Sequence, residues 1–258
     1  MNKKQISSVA WFIFLKNIKK ISYWTVLIWP ITLGLCYFLI YKQVNVHVNS
    51  SHSNLVIILC IFSLFITFFL GNIIGNEFVI KKTSKINEYL ASFVKTRNLF
   101  WGNLIGVTYI LLFSISIYCF VYYSLSYYFP FINNYLLSLI GNYSIIGVFI
   151  DFLNITILIL WILVAASILG MHSNTEKQIS KRLFYIYFYI ILAAWGILKL
   201  KTLSTVKMSF NFIPVFSQFN CMSTIAYNNF NNFIFLIIQV IILTFVVNFA
   251  NRKYSQLF

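Results

Sequence analysis

Four acidic residues are spread over 258 positions: Glu77, Glu88, Asp151 and Glu176. They do not fall as adjacent pairs, so a carboxylate dyad for general acid–base work has little support. His47 and His52 lie among Asn and Ser. His172 precedes Glu176 by four residues, a possible one-face pair on a helix, but the sequence nearby offers no further ligands to complete a metal site. Cys36, Cys60, Cys119 and Cys221 are scattered without CxxC spacing and read as small apolar residues. There is no GxSxG, HExxH or Walker A motif. The chain thus carries no visible means of hydrolysing ATP, and no catalytic, cofactor-binding or metal residue is expected on it. Asp151 stands apart because it falls within an apolar run, where an ionisable group is costly. Either it lies on a substrate or ion pathway, or it pairs with Lys199 or Lys201 at the outer end of a neighbouring span.

The elements that must position these residues are set by composition. The chain is 60% hydrophobic and 9% charged, with mean hydropathy +0.85. Soluble domains carry about 25% charged residues. So few charges cannot cover a soluble surface, and a bilayer must solvate most of the chain. The apolar runs predict one all-α, polytopic domain with six spans, near 23–40, 55–74, 99–122, 145–170, 183–198 and 230–250. Trp24 and Trp29 suit an interface, Pro30 a kink, and Gly71 with Gly75 a close helix contact. Residues 1–20 predict an interfacial amphipathic helix whose lysines reach anionic head groups, or a simple topogenic charge cluster. Its apolar run, Val9–Leu15, lacks a small-residue cleavage site and so does not read as a cleaved signal. Residues 124–142 and 199–229 are assigned to the outer face.

Six spans put both termini on one side, and charge tests that arrangement. Fifteen of the nineteen Lys and Arg residues then lie on the terminal side, and Lys42, Lys199, Lys201 and Lys207 on the other. This asymmetry predicts cytoplasmic termini in a plasma membrane, and accounts for the net charge of +15 without nucleic acid.

Between the second and third spans lies a basic island, residues 77–98, with Lys81, Lys82, Lys85, Lys95 and Arg97. Residues 76–95 can form a short amphipathic helix that docks on a soluble partner, or a solvated loop that fixes topology. The segment KKTSKINEYLASFVKTRNLFWGNLIG, Lys81–Gly106, resembles the first cytoplasmic loop of the type-2 ABC exporter permeases, in the branch that includes sodium-efflux permeases. Lys82, Thr83, Ser84, Lys85, Glu88, Tyr89, Leu90, Ser92, Gly102 and Gly106 fall on that pattern. AASILGMHSNTEKQISKRL, Ala165–Leu183, is similar to the second cytoplasmic loop, and FIPVFSQF, Phe212–Phe219, to an outer element before the last span. The chain departs from the family at Ile80 and Lys81, where acids are usual, and at Asn103, where Lys is usual after Gly102. It also lacks the large outer domain after the first span.

The resemblance implies a compact half-transporter. Two permease chains, identical or sisters, would form the pathway, and separate ATPase subunits holding ATP and Mg would dock on the island. The residues from Lys82 to Ser92 named above would then be coupling residues with no chemical role. The cargo would be an antimicrobial peptide, an amphipathic compound or an ion. The competing readings are a secondary transporter and an immunity protein that works without an ATPase.

Overall fold

The computed structural model describes residues 3–21, 23–25, 27–28, 30–32, 52–83, 92–129, 145–199, 213–224 and 230–257. Among these there are helices and short turns and no strand. The helices are α1 (Lys3–Ile18), α2 (His52–Thr83), α3 (Thr96–Tyr128), α4 (Ile145–His172), α5 (Glu176–Lys199), α6 (Phe216–Thr224) and α7 (Phe230–Leu257). Four stretches of the described residues are long and apolar enough to cross a membrane: Leu64–Thr83, Thr96–Tyr128, Ile150–His172 and Ile234–Gln256. The chain is therefore a helical, multi-pass membrane protein. The expected fifth span lies inside α5, whose first two turns carry Glu176, Lys177, Lys181 and Arg182. It is not among the four. The expected first span is described only in part, and is helical where described, at 23–25, 27–28 and 30–32.

Two long packings organise the bundle, α2 on α4 and α1 on α3. The first is allowed by glycine. A Cβ on Gly170 would stand 2.8 Å from the Gly75 carbonyl oxygen and 2.9 Å from the Phe78 Cβ. The backbones of α2 and α4 thus cross almost in contact, as small residues permit between apolar helices. An aromatic cluster joins α7 to this pair. The Tyr254 ring lies 5.4 Å from Phe78 on α2 and 5.7 Å from Phe100 on α3. All three rings are buried.

The N-terminal helix lies along α3 in a constant register. Gln5 meets Asn98, Val9 meets Gly102, and Ile13 meets Gly106. Beyond the break at residues 19–20 the chain still follows α3, shifted by two residues, with the Tyr23 hydroxyl 2.9 Å from that of Ser114. Ile6, Ala10, Ile13 and Asn17 form the buried stripe of α1. Trp11, Phe12 and Leu15 remain exposed on its other side. A helix apolar on both faces fits one packed on a neighbour and bathed by lipid on the other side.

The second span ends differently from the sequence reading. The helix does not stop near residue 74 with a new one starting at Asn76; α2 runs unbroken through Glu77 to Thr83. Phe78 and Val79 extend its buried stripe, so packing carries the helix past the first charges. Just before α6, Val215 adopts φ 76°, unusual for a β-branched residue. Its N–H donates to Gln218 Oε1 at 2.6 Å, and the Tyr189 hydroxyl donates to the Pro214 carbonyl at 2.9 Å. Together these clamp the turn that leads into α6.

Candidate functional site

The polar side chains collect at the end of the bundle where α2 finishes and α3 begins. Glu77 sits there with its side chain 1% exposed. The Lys16 ammonium lies 2.9 Å from each of its carboxylate oxygens. Asn17 Nδ2 donates at 3.4 Å, and Lys20 stands 3.8 Å away. One helical turn on, the buried Lys81 donates to the Asn103 side-chain oxygen on α3. Burying a carboxylate at this depth requires such company, since an unpaired charge would cost several kcal/mol. The cluster ties α1, α2 and α3 into one joint.

A second fastening lies one residue further along. Lys82 Nζ donates to the Met171 carbonyl at 3.2 Å and to Asn174 Oδ1 at 2.8 Å. Arg182 donates to Ser173 Oγ at 3.4 Å. Two cations thereby gather at the carbonyl end of α4, where the helix dipole is negative. The turn into α5 is built by its own side chains. Thr175 Oγ1 accepts from the Gln178 N–H at 3.2 Å, and Gln178 Oε1 accepts from the Asn174 N–H at 2.8 Å. This reciprocal cap fixes where α4 stops and α5 starts.

These contacts locate the expected coupling residues that the structure describes. Lys82 and Thr83 form the last turn of α2, with Lys82 turned onto α4 and the Thr83 hydroxyl bonded back to Val79 at 3.0 Å. Ser92 is exposed, just before α3. Ser84, Lys85, Glu88, Tyr89 and Leu90 lie outside the described residues. Gly102 and Gly106 receive a physical reason. A Cβ at Gly102 would stand 2.6 Å from the Val9 Cβ, and one at Gly106 would stand 2.9 Å from the Ala10 carbonyl oxygen.

Lys16 and Lys20, expected to reach lipid head groups, are turned onto Glu77. Sequence reasoning saw Glu77 but gave it no partner. The signal available was its spacing from Lys81, four residues apart on one helical face, together with a shortage of acids that makes each one contested. Asp151 is buried in α4 at 5% exposure, and its Oδ1 has no hydrogen-bond partner among the described residues. The pairing expected with Lys199 or Lys201 involves side chains outside those described. Among the described residues no group of three metal-ligating side chains comes together.

No protein-family model matches the chain, and no curated protein or solved structure is detectably similar to it.

Proposed function

We propose that this chain is the permease subunit of an ABC exporter. It would have six spans and both termini in the cytoplasm of a bacterial cell, and would work with a second permease chain and a separate ATPase that supplies ATP and Mg. The observation that carries the reading is the pair of fastenings around residues 84–91. This segment follows α2 in the sequence, and the end of α2 is locked to α1 through Glu77 and to α4 through Lys82. A partner that moved the segment would therefore pull on α1, α2 and α4 together. Coupling of ATP binding to a transport cycle needs this property, with the energy entering as differential binding to two conformations.

One further contact supports the resemblance. Lys81 and Asn103, two positions at which the sequence departs from the exporter pattern, touch each other. Where the exporter pattern has an acid and a lysine this chain has a lysine and an amide, and the amide oxygen accepts from the lysine, so the two departures are compatible with each other. The cargo under this reading is a peptide, an amphipathic compound or an ion.

The test is a charge reversal of Lys85→Glu with Glu88→Lys. Lys82 is left intact because it already holds the end of α4. Association with the ATPase is expected to fall while membrane insertion is unchanged. Association at the original level would remove the docking role. A second reading, a carrier or immunity protein without an ATPase, draws on the buried carboxylate of Asp151. Under it, Asp151→Asn abolishes activity while no ATPase associates.

A further inference from the structure

Three cavities follow one another along α3: one against α2 and α4, one against α4 and α7, and one against α7. The outer one, about 650 Å³, is walled by residues such as Leu112, Ile115, Phe152 and Ile159. The middle one, about 350 Å³, is walled by Leu104, Leu163, Val247 and their neighbours. Thr108 and Leu160 line both, so the two adjoin. The threonines along this trough turn their hydroxyls back onto their own helices. Thr108 bonds to the Ile105 carbonyl at 2.7 Å, Thr156 to Phe152 at 2.9 Å and Thr244 to Val240 at 2.8 Å. The walls therefore offer almost nothing but hydrocarbon.

The third cavity, about 520 Å³, has a different character. It adjoins the middle one through Asn248 and is lined by Arg97, Asn251, Arg252, Phe245 and Phe249. Among the described residues neither arginine side chain has a hydrogen bond or an ion pair, whereas Lys16 and Lys20 of the nearby joint are matched to Glu77. Asn251 is 7% exposed, and its amide oxygen has no hydrogen-bond partner among the described residues. Arg97 stands in the first turn of α3, whose N-cap, Lys95, supplies no side-chain bond. The positive end of that helix adds to the two guanidiniums.

We propose that this trough binds an anionic diacyl phospholipid, its phosphate held by Arg97 and Arg252 and a tail lying in the adjoining apolar cavity. Lipid tails are as apolar as leucine, so the walls alone do not distinguish one membrane component from another. The arginines do, because a guanidinium grips phosphate oxygens in a two-pronged fashion and basic pockets between spans attract anionic head groups. The inference rests on the membrane character of the chain and is independent of the exporter reading.

Native mass spectrometry of the full chain, released from detergent with equal amounts of phosphatidylglycerol and phosphatidylcholine, tests it. Phosphatidylglycerol is expected to stay bound in preference. Arg97→Gln with Arg252→Gln should cut that preference roughly tenfold. Lys177→Gln with Lys181→Gln removes the same charge from exposed positions and should leave it unchanged. Thr244→Trp fills the middle cavity without altering charge and should lower retention several-fold. The proposal is overturned if the unaltered chain shows no preference, or if both double variants lose it equally, which would mean diffuse surface charge. Unchanged retention in Thr244→Trp would overturn the assignment of the tail. A dimer that excludes lipid, and that the arginine changes weaken, would put a second copy in the trough instead.

Discussion

Glu77 is the residue on which the terminal end of the bundle turns. Its carboxylate neutralises the nearest of three lysines, and no other described acid is close enough to replace it. Glu77→Gln is expected to destabilise the chain by about 3 kcal/mol, because it leaves buried positive charge unmatched. Lys16→Met should cost less, since the Lys16 side chain is 31% exposed and Lys20 and Asn17 still face the carboxylate. Thermal unfolding of the two variants in one detergent checks the order; equal losses would mean that Glu77 is not the centre of the joint. A second prediction at this scale concerns the turn that leads into α6. Gln218→Ala leaves the Val215 N–H without its acceptor in a buried turn and is expected to cost about 1–3 kcal/mol by the same assay. Glu77 was in plain view in the sequence, but its partners were not. Lys16 lies sixty-one residues away, and its inward turn depends on how α1 packs, which no local pattern encodes.

At the scale of elements, the pairing of α1 with α3 is governed by two glycines. Gly106→Leu is expected to drive α1 from its groove at a cost of about 1–3 kcal/mol, because its Cβ would lie within 3 Å of both Ile13 and the Ala10 carbonyl. Increased protease cleavage near the N-terminus would report the release. Gly196→Ala is the contrasting case: among the described residues its Cβ would meet nothing nearer than 3.8 Å, so the change should be neutral or stabilising by up to about 1 kcal/mol. If Gly106→Leu leaves the N-terminus protected, the close packing of α1 on α3 is wrong. The sequence shows these helices as apolar runs, because hydropathy responds to what the solvent demands of each residue. It does not show which face meets which neighbour, since a helix buried on one side and in lipid on the other is apolar all round. The end of α2 was misread for a related reason. Lysines suggest a solvated loop, yet Phe78 and Val79 between them keep the helix packed.

At the scale of the whole molecule, α3 is 33 residues long, or about 50 Å, against about 30 Å of hydrocarbon. Part of it must therefore stand clear of the hydrocarbon. Lys95 and Arg97 at its start suit that emergent end, and the positive-inside bias would set it in the cytoplasm. Single cysteines at Lys177 and Lys42, in a chain freed of its native cysteines, are expected to react with an impermeant reagent from the inside and the outside respectively. The reverse pattern would invert the proposed orientation. The membrane class was legible from composition because nine per cent charge leaves no alternative solvent. The exporter reading rests on short motifs whose central residues, 84–91, lie outside the described residues, and under that reading their partners would be on another chain. The most direct measurement is a gentle-detergent pulldown of the tagged chain from its native cell, with mass spectrometry of what accompanies it. The exporter reading predicts a soluble protein bearing a Walker A sequence, near one copy per permease. A chain recovered alone, under conditions that preserve a known ABC complex, would contradict it.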